Sequence, residues 1–73
     1  MNEENAKRLE KLVIEGVIRN HIPQGTYILR NKEDAEKVIE IFNQHDYQAR
    51  ITDSDGVPKG YVGVQYTKVG ADK

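Results

Sequence analysis

The sequence predicts an α+β fold: one small domain of order αβαββ, in which two helices pack on one face of a three-stranded mixed sheet. Two segments repeat apolar residues at the spacing of three and four that defines one face of a helix. Three shorter segments have the β-branched and aromatic composition of strands. A loop rich in Asp, Gly and Pro joins the last two as a hairpin.

The first helix extends from residue 3 to about residue 20, and Pro23 and Gly25 end it. At about 100° per residue, Ile14 and Ile18 widen its apolar arc to roughly 200°. One sheet cannot cover an arc of that width, so we expect another polypeptide to cover part of it. The candidates for core and interface together are Leu12, Val13, Ile14, Val17, Ile18 and Ile22.

The first strand, residues 26 to 30, carries apolar residues on both faces, which leaves its orientation open. The second helix extends from Lys32 to about Gln44. Asn31 is suited to cap its start, and the acidic residues of its first turn favour the positive helix end. Its single apolar stripe consists of Ala35, Val38, Ile39 and Phe42.

The last two strands, residues 47 to 52 and 61 to 67, alternate apolar and polar residues. A strand, a helix and a strand favour a right-handed crossover between parallel strands, and the hairpin brings the last strand back beside or between them. The sheet face without helices is then polar. Gly63 indicates close approach of another group, either a ligand or a neighbouring aromatic ring, with Tyr61 or Tyr27 as the favoured neighbour. Candidate binding residues on that face are Tyr27, Arg50, Lys59, Tyr61, Gly63 and Gln65.

The composition excludes several classes of protein. The 73 residues predict one domain, 1–73, with frayed ends at 1–3 and 69–73. A core of this size stabilises the folded state by only about 3 to 5 kcal/mol. Because cysteine is absent, a disulfide framework, a thiol nucleophile and a zinc ribbon are excluded. No apolar stretch reaches the length of a membrane span or a targeting segment, so we expect a cytosolic protein without membrane contact.

The loop before the last strand contains two motif fragments. Asp53, Asp55 and Gly56 resemble the opening of an EF-hand loop. Val64 stands where the bidentate glutamate closes that site, and the flanks are strands, so we predict a turn and no metal.

The segment KGYVGVQY, residues 59 to 66, resembles the RNP1 strand of the RNA recognition motif. The resemblance covers residues 26 to 66 and implies base stacking on Tyr61 and Tyr27, with Arg50 and Lys59 contacting phosphate. The sequence departs from the motif at Gly63, where the central stacking aromatic belongs, and the second helix and fourth strand of that family have no counterpart after residue 66.

No constellation for catalysis is evident. Ser54 is the only serine and has no histidine near it in sequence, while His21 and His45 fall at helix ends, where an imidazolium interacts favourably with the negative end. We therefore expect no enzyme, no cofactor and no small-molecule substrate.

Two hypotheses of function remain. The first is a cytosolic protein-binding module that self-associates as a twofold homodimer or binds another protein. The alternative is single-stranded nucleic-acid binding through the polar sheet face. The net charge of −1 and its even distribution disfavour the alternative: residues 1–25 carry four bases and four acids, 26–52 four and five, and 53–73 three and three.

Overall fold

A computed structural model describes residues 3–52 and 56–70 of the chain. It contains two helices and three strands, which confirms the α+β class. Asp53, Asp55 and Ser54 lie outside the described residues, as do most of the ends expected to fray. The elements are α1 (Glu3–Val13), a π turn (Ile14–Ile18), β1 (Gln24–Leu29), α2 (Lys32–Gln44), β2 (Tyr47–Thr52) and β3 (Val62–Lys68).

The sheet has the order β1-β3-β2, and both of its pairings are antiparallel. The prediction of a mixed sheet is therefore wrong. β1 and β2 run in the same direction, as a crossover through α2 requires, but β3 lies between them, so no parallel pair forms. The central position suits β3, which buries Val64 and Tyr66 and has a bonding partner on each side.

The core lies between the two helices and one face of the sheet. Its α1 side consists of Leu9, Val13 and Val17. α2 contacts α1 and all three strands, so its buried arc is wider than the single predicted stripe: Ile41 is fully buried, and Ile39 is only partly buried. The remaining core residues are Leu29, Ala35, Val38, Phe42, Tyr47, Val64 and Tyr66.

The end of the first helix differs from the continuous α-helix that the sequence predicts. Ile14–Ile18 form a π turn, in which the Arg19 amide donates to the Ile14 carbonyl at 2.8 Å. Bonding from i to i+5 places more residues in each turn. Val13 and Val17 are both buried, so the buried face of the helix continues into this turn. Ile14 and Ile18, the residues that widen the predicted apolar arc, are only partly buried.

The residues at the helix ends take the positions that the sequence predicts. The Asn31 side chain accepts a hydrogen bond from the Asp34 amide at 2.7 Å, which confirms the predicted cap of α2. His21 and His45 both fall at helix ends, as predicted. His21 has φ 55, and its amide donates to the Ile18 carbonyl, an arrangement that usually selects glycine at this position.

An aromatic cluster joins α2 to the centre and the edge of the sheet. The Phe42 and Tyr66 rings stack with centroids 4.6 Å apart, and Tyr47 packs against both. The Tyr47 hydroxyl donates to the Ile22 carbonyl at 2.6 Å and so anchors the segment between the π turn and β1. Burial raises the pKa of both Tyr47 and Tyr66.

Gly25 lies under this cluster. A Cβ atom at Gly25 would be 2.6 Å from the Tyr66 hydroxyl oxygen, and the ring cannot move aside because it is stacked on Phe42. We expect Gly25→Ala to destabilise the protein by about 1 to 3 kcal/mol, measured by chemical denaturation.

The matched control is Gly16→Ala, because a Cβ at exposed Gly16 meets no atom within 4 Å. This substitution should raise the free energy of unfolding by up to about 1 kcal/mol through helix propensity. Equal effects of the two substitutions would contradict the packing of Tyr66 over Gly25.

Candidate interaction surfaces

The sheet face without helices, called the polar face here, is organised by the register of its strands. Side chains at alternate positions of a strand share a face. The first two rows across the sheet present three amides, two hydroxyls and one guanidinium, all of them exposed. The rows are Gln24, Thr67 and Gln48; then Thr26, Gln65 and Arg50; then Ile28, Gly63 and Thr52.

Arg50 and Gln65 meet in the middle row. The Arg50 Nε and Nη2 groups both donate to the Gln65 Oε1 atom, at 3.3 and 3.2 Å. Around them, Gln48 and Thr67 line an open depression of about 550 Å³. These groups can hydrogen-bond to a polar ligand, but no aromatic side chain takes part in the first two rows, so they offer no stacking platform.

The third row explains the glycine in β3. A Cβ atom at Gly63 would lie 2.5 Å from Cγ2 of Val57 and 3.2 Å from Cγ2 of Thr52. The close approach expected at this position is therefore real, but its partners are Val57 and Thr52 rather than a tyrosine. Val57 lies between β2 and β3 in the chain, and its side chain covers this end of the polar face.

The other candidates for the polar face are dispersed. The prediction that Tyr27 lies on the polar face is wrong. Its register partner is Val64, so it lies on the helix side of the sheet and packs against the core. Burial there raises the pKa of Tyr27, and the nearby Arg8 guanidinium partly offsets that effect. Lys59 and Tyr61 lie in the tight turn before β3, where Gly60 has φ 88 and the Tyr61 side chain is 47% exposed.

A second surface is the α1–β1 groove, which lies between the first helix and the first strand and has a volume of about 210 Å³. Leu12 is 46% exposed on its helix side. Ile28 borders the groove on its strand side, but the Ile28 side chain, 39% exposed, belongs to the polar face. The residues that line it include Arg8, Leu12, Tyr27, Ile28, Arg30 and Asp34. Asp34 accepts a hydrogen bond from the Asn5 side chain at 3.0 Å, which ties α1 to α2 beside the groove.

The structure separates the six interface candidates that the sequence left together. Val13 and Val17 belong to the core, and Ile18 and Ile22 are partly buried against it. Leu12 opens into the α1–β1 groove. Ile14 is half-buried in a shallow groove on the outer side of the helix, where its neighbours are Lys7, Glu10, Lys11, Glu15 and Arg19.

The free edge of β1 adjoins the α1–β1 groove. The Lys68 amide donates to the Pro23 carbonyl at 2.8 Å, which places residues 23, 25, 27 and 29 in the bonded pairs with β3. In an antiparallel ladder the intervening residues direct their amides and carbonyls to the other side. Gln24, Thr26 and Ile28 therefore present their backbone groups at the edge of the sheet.

Other kinds of site are limited in the described part of the chain. Residues 3–52 and 56–70 contain no group of three or more His, Cys, Asp or Glu side chains placed to hold a metal ion. No helix within those residues combines the length and the apolar character needed to cross a bilayer.

Comparison of the chain with protein-family models, with curated proteins and with solved structures finds no match in any of the three.

The packing of Val57 over Gly63 can be tested by a double-mutant cycle. We expect Gly63→Ala alone to destabilise the protein by about 1 to 3 kcal/mol, because the added methyl group overlaps Val57. In a Val57→Ala background the same substitution should cost about 1 kcal/mol less, measured by chemical denaturation. Additive effects of the two substitutions would show that the Val57 side chain does not cover Gly63.

Proposed function

We propose that this chain is a non-enzymatic protein-binding module that self-associates as a twofold homodimer through the α1–β1 groove and the adjacent edge of β1. The observation that carries the proposal is the exposure of Leu12 in this groove, beside the row of unpaired backbone groups of Gln24, Thr26 and Ile28. Apolar side chains and an open strand edge in one place are the features that another polypeptide covers.

The composition of β1 supports a strand edge that pairs with another chain rather than one that is blocked against such pairing. Proteins commonly block exposed edges with charged residues, proline or a bulge. β1, with the sequence QGTYIL, contains none of these, and its register with β3 is regular over six pairs. The other edge strand, β2, carries Arg50.

Self-association is measured directly by sedimentation velocity, over protein concentrations from about 1 to 200 μM. We expect the sedimenting mass to rise from that of the 8.3 kDa chain to twice that value. Leu12→Gln should weaken the association by at least about tenfold, because it removes an aliphatic side chain from the interface.

The matched control is Ile51→Gln. Ile51 is 41% exposed, close to Leu12 in this respect, but lies on β2 at the opposite edge of the sheet. The Ile51→Gln substitution should leave the dissociation constant of the dimer unchanged. A monomer throughout the concentration range would contradict self-association, and the exposed groove would then accommodate a different protein.

Single-stranded nucleic-acid binding is the second candidate, supported by Arg50 in the polar depression and by the exposed ring of Tyr61. It is the weaker proposal, because Tyr27 lies on the opposite face and cannot contribute a second stacking ring there.

Fluorescence anisotropy with labelled single-stranded oligonucleotides, at about 50 mM salt, separates the two functions. We expect no change in anisotropy up to roughly 100 μM protein, since few cations lie on the polar face. Salt-sensitive binding that Tyr61→Ala abolishes would favour the nucleic-acid function instead.

A further inference from the structure

The edge strand β2 and the central strand β3 bring four polar side chains together on the polar face. Gln48 lies opposite Thr67 in one row, and Arg50 lies opposite Gln65 in the next. Opposite side chains on neighbouring strands are about 5 Å apart, and successive side chains on one face of a strand are about 7 Å apart. All four are exposed and line the open depression of about 550 Å³. A small group placed between them can therefore contact both rows.

The Arg50 guanidinium is held in one orientation by Gln65. Its Nε and Nη2 groups both donate to the Gln65 Oε1 atom, at 3.3 and 3.2 Å. A guanidinium carries its N–H groups in a rigid plane, so the Nη1 end of the fork stays available for a further acceptor. The same contact orients the Gln65 amide, because its oxygen faces the guanidinium and its Nε2 group is left to donate elsewhere.

The charge of Arg50 has no counterpart on this face. Among the described residues, none of those that line the depression or form the rows of the polar face is acidic. Neutral amides and hydroxyls hydrogen-bond to water as readily as to a ligand, whereas hydrogen bonds from a charged donor to a charged acceptor are stronger. A ligand therefore gains most from the guanidinium, and the depression favours an anion.

The backbone at the edge of the sheet adds a further donor. The Val69 amide donates to the Asp46 carbonyl at 2.9 Å, which places residues 46, 48 and 50 in the bonded pairs with β3. Ala49 therefore directs its amide to the outer edge of β2, and it borders the depression between Gln48 and Arg50. Amides at the edge of a sheet contribute to concave anion sites.

We propose that this depression binds the phosphate group of a small phosphate monoester, with the Arg50 guanidinium as the main contact. Donors reach the depression from two rows of side chains and from the strand edge. A phosphate group has three terminal oxygens and up to two negative charges, so it can accept from all of these directions. A carboxylate has two oxygens in one plane and satisfies fewer of them.

This site is separate from the surface proposed for self-association. It lies on β2 and β3, whereas the α1–β1 groove adjoins β1 at the opposite edge of the sheet. The two proposals are therefore tested independently, and Leu12→Gln should leave phosphate binding unchanged.

Binding can be measured by heteronuclear NMR titration of the whole 73-residue chain with inorganic phosphate at about pH 8, where phosphate is a dianion. Sodium chloride keeps the ionic strength constant. We expect a dissociation constant of about 1 to 10 mM. Sodium acetate should bind at least about threefold more weakly. The amide signals expected to shift and saturate are those of Gln48, Ala49, Arg50, Gln65 and Thr67.

Substitutions at Arg50 test the main contact. Arg50→Gln keeps a polar side chain but removes the charge and the fork, so it should weaken phosphate binding by at least about tenfold. Arg50→Lys keeps the charge without the fork and should bind at least about threefold more weakly than the unmodified chain. Chemical denaturation of each variant checks that the fold persists.

The matched control is Arg19→Gln, which removes one positive charge from the shallow groove on the outer side of the first helix. It should leave the dissociation constant for phosphate within about twofold.

Weaker binding by Arg50→Gln, with Arg19→Gln unchanged, supports the site. Shifts that do not saturate, or that weaken equally in both variants, would show only a general attraction of anions to the surface and would overturn it. Acetate that binds as tightly as phosphate would overturn the assignment of phosphate. Stronger shifts of the same signals by an oligonucleotide without a terminal phosphate would overturn the small ligand in favour of nucleic-acid binding.

Discussion

The stacking of Phe42 on Tyr66 is the contact on which the rest of the architecture depends. It fixes α2 over the central strand, since β3 supplies Tyr66 and α2 supplies Phe42. Tyr47 packs against both rings and bonds to the Ile22 carbonyl, so the same cluster holds the start of β1. α1 packs on α2 and contributes Leu9 and Val13 to the same core.

Two glycines let the sheet accept large neighbours, one on each face. Gly25 leaves room for the Tyr66 ring on the helix side, and Gly63 leaves room for Val57 on the polar side. The sheet has only three short strands. At each glycine, a neighbouring side chain packs directly against the backbone of the sheet. One contact completes the core, while the other closes one end of the polar face.

The two faces of the molecule consequently have different chemistry. The polar face offers amides, hydroxyls and one arginine, which hydrogen-bond to water as readily as to a ligand. The α1–β1 side offers the exposed side chain of Leu12 beside unpaired backbone groups, and burial of this aliphatic side chain by another chain is favourable. This difference is the physical basis for the proposal that another chain binds to the α1–β1 side.

The sequence by itself determined the local structure. The bounds of α2, its Asn31 cap, both histidines at helix ends and the alternation in β2 and β3 followed from periodicity and capping. Gly63 also indicated a close contact in the sheet, but the sequence did not identify the residue that makes this contact. These features depend on residues a few positions apart, whose preferences act within one element.

Tertiary structure alone decided the rest. The insertion of β3 between β1 and β2, the side taken by Tyr27, the burial of Ile41 and the position of Val57 over Gly63 all involve residues distant in sequence. The π turn belongs with them, because the helical period of the sequence gives no indication of it. Local patterns specify which side of an element is apolar, but only packing between elements specifies what that side meets.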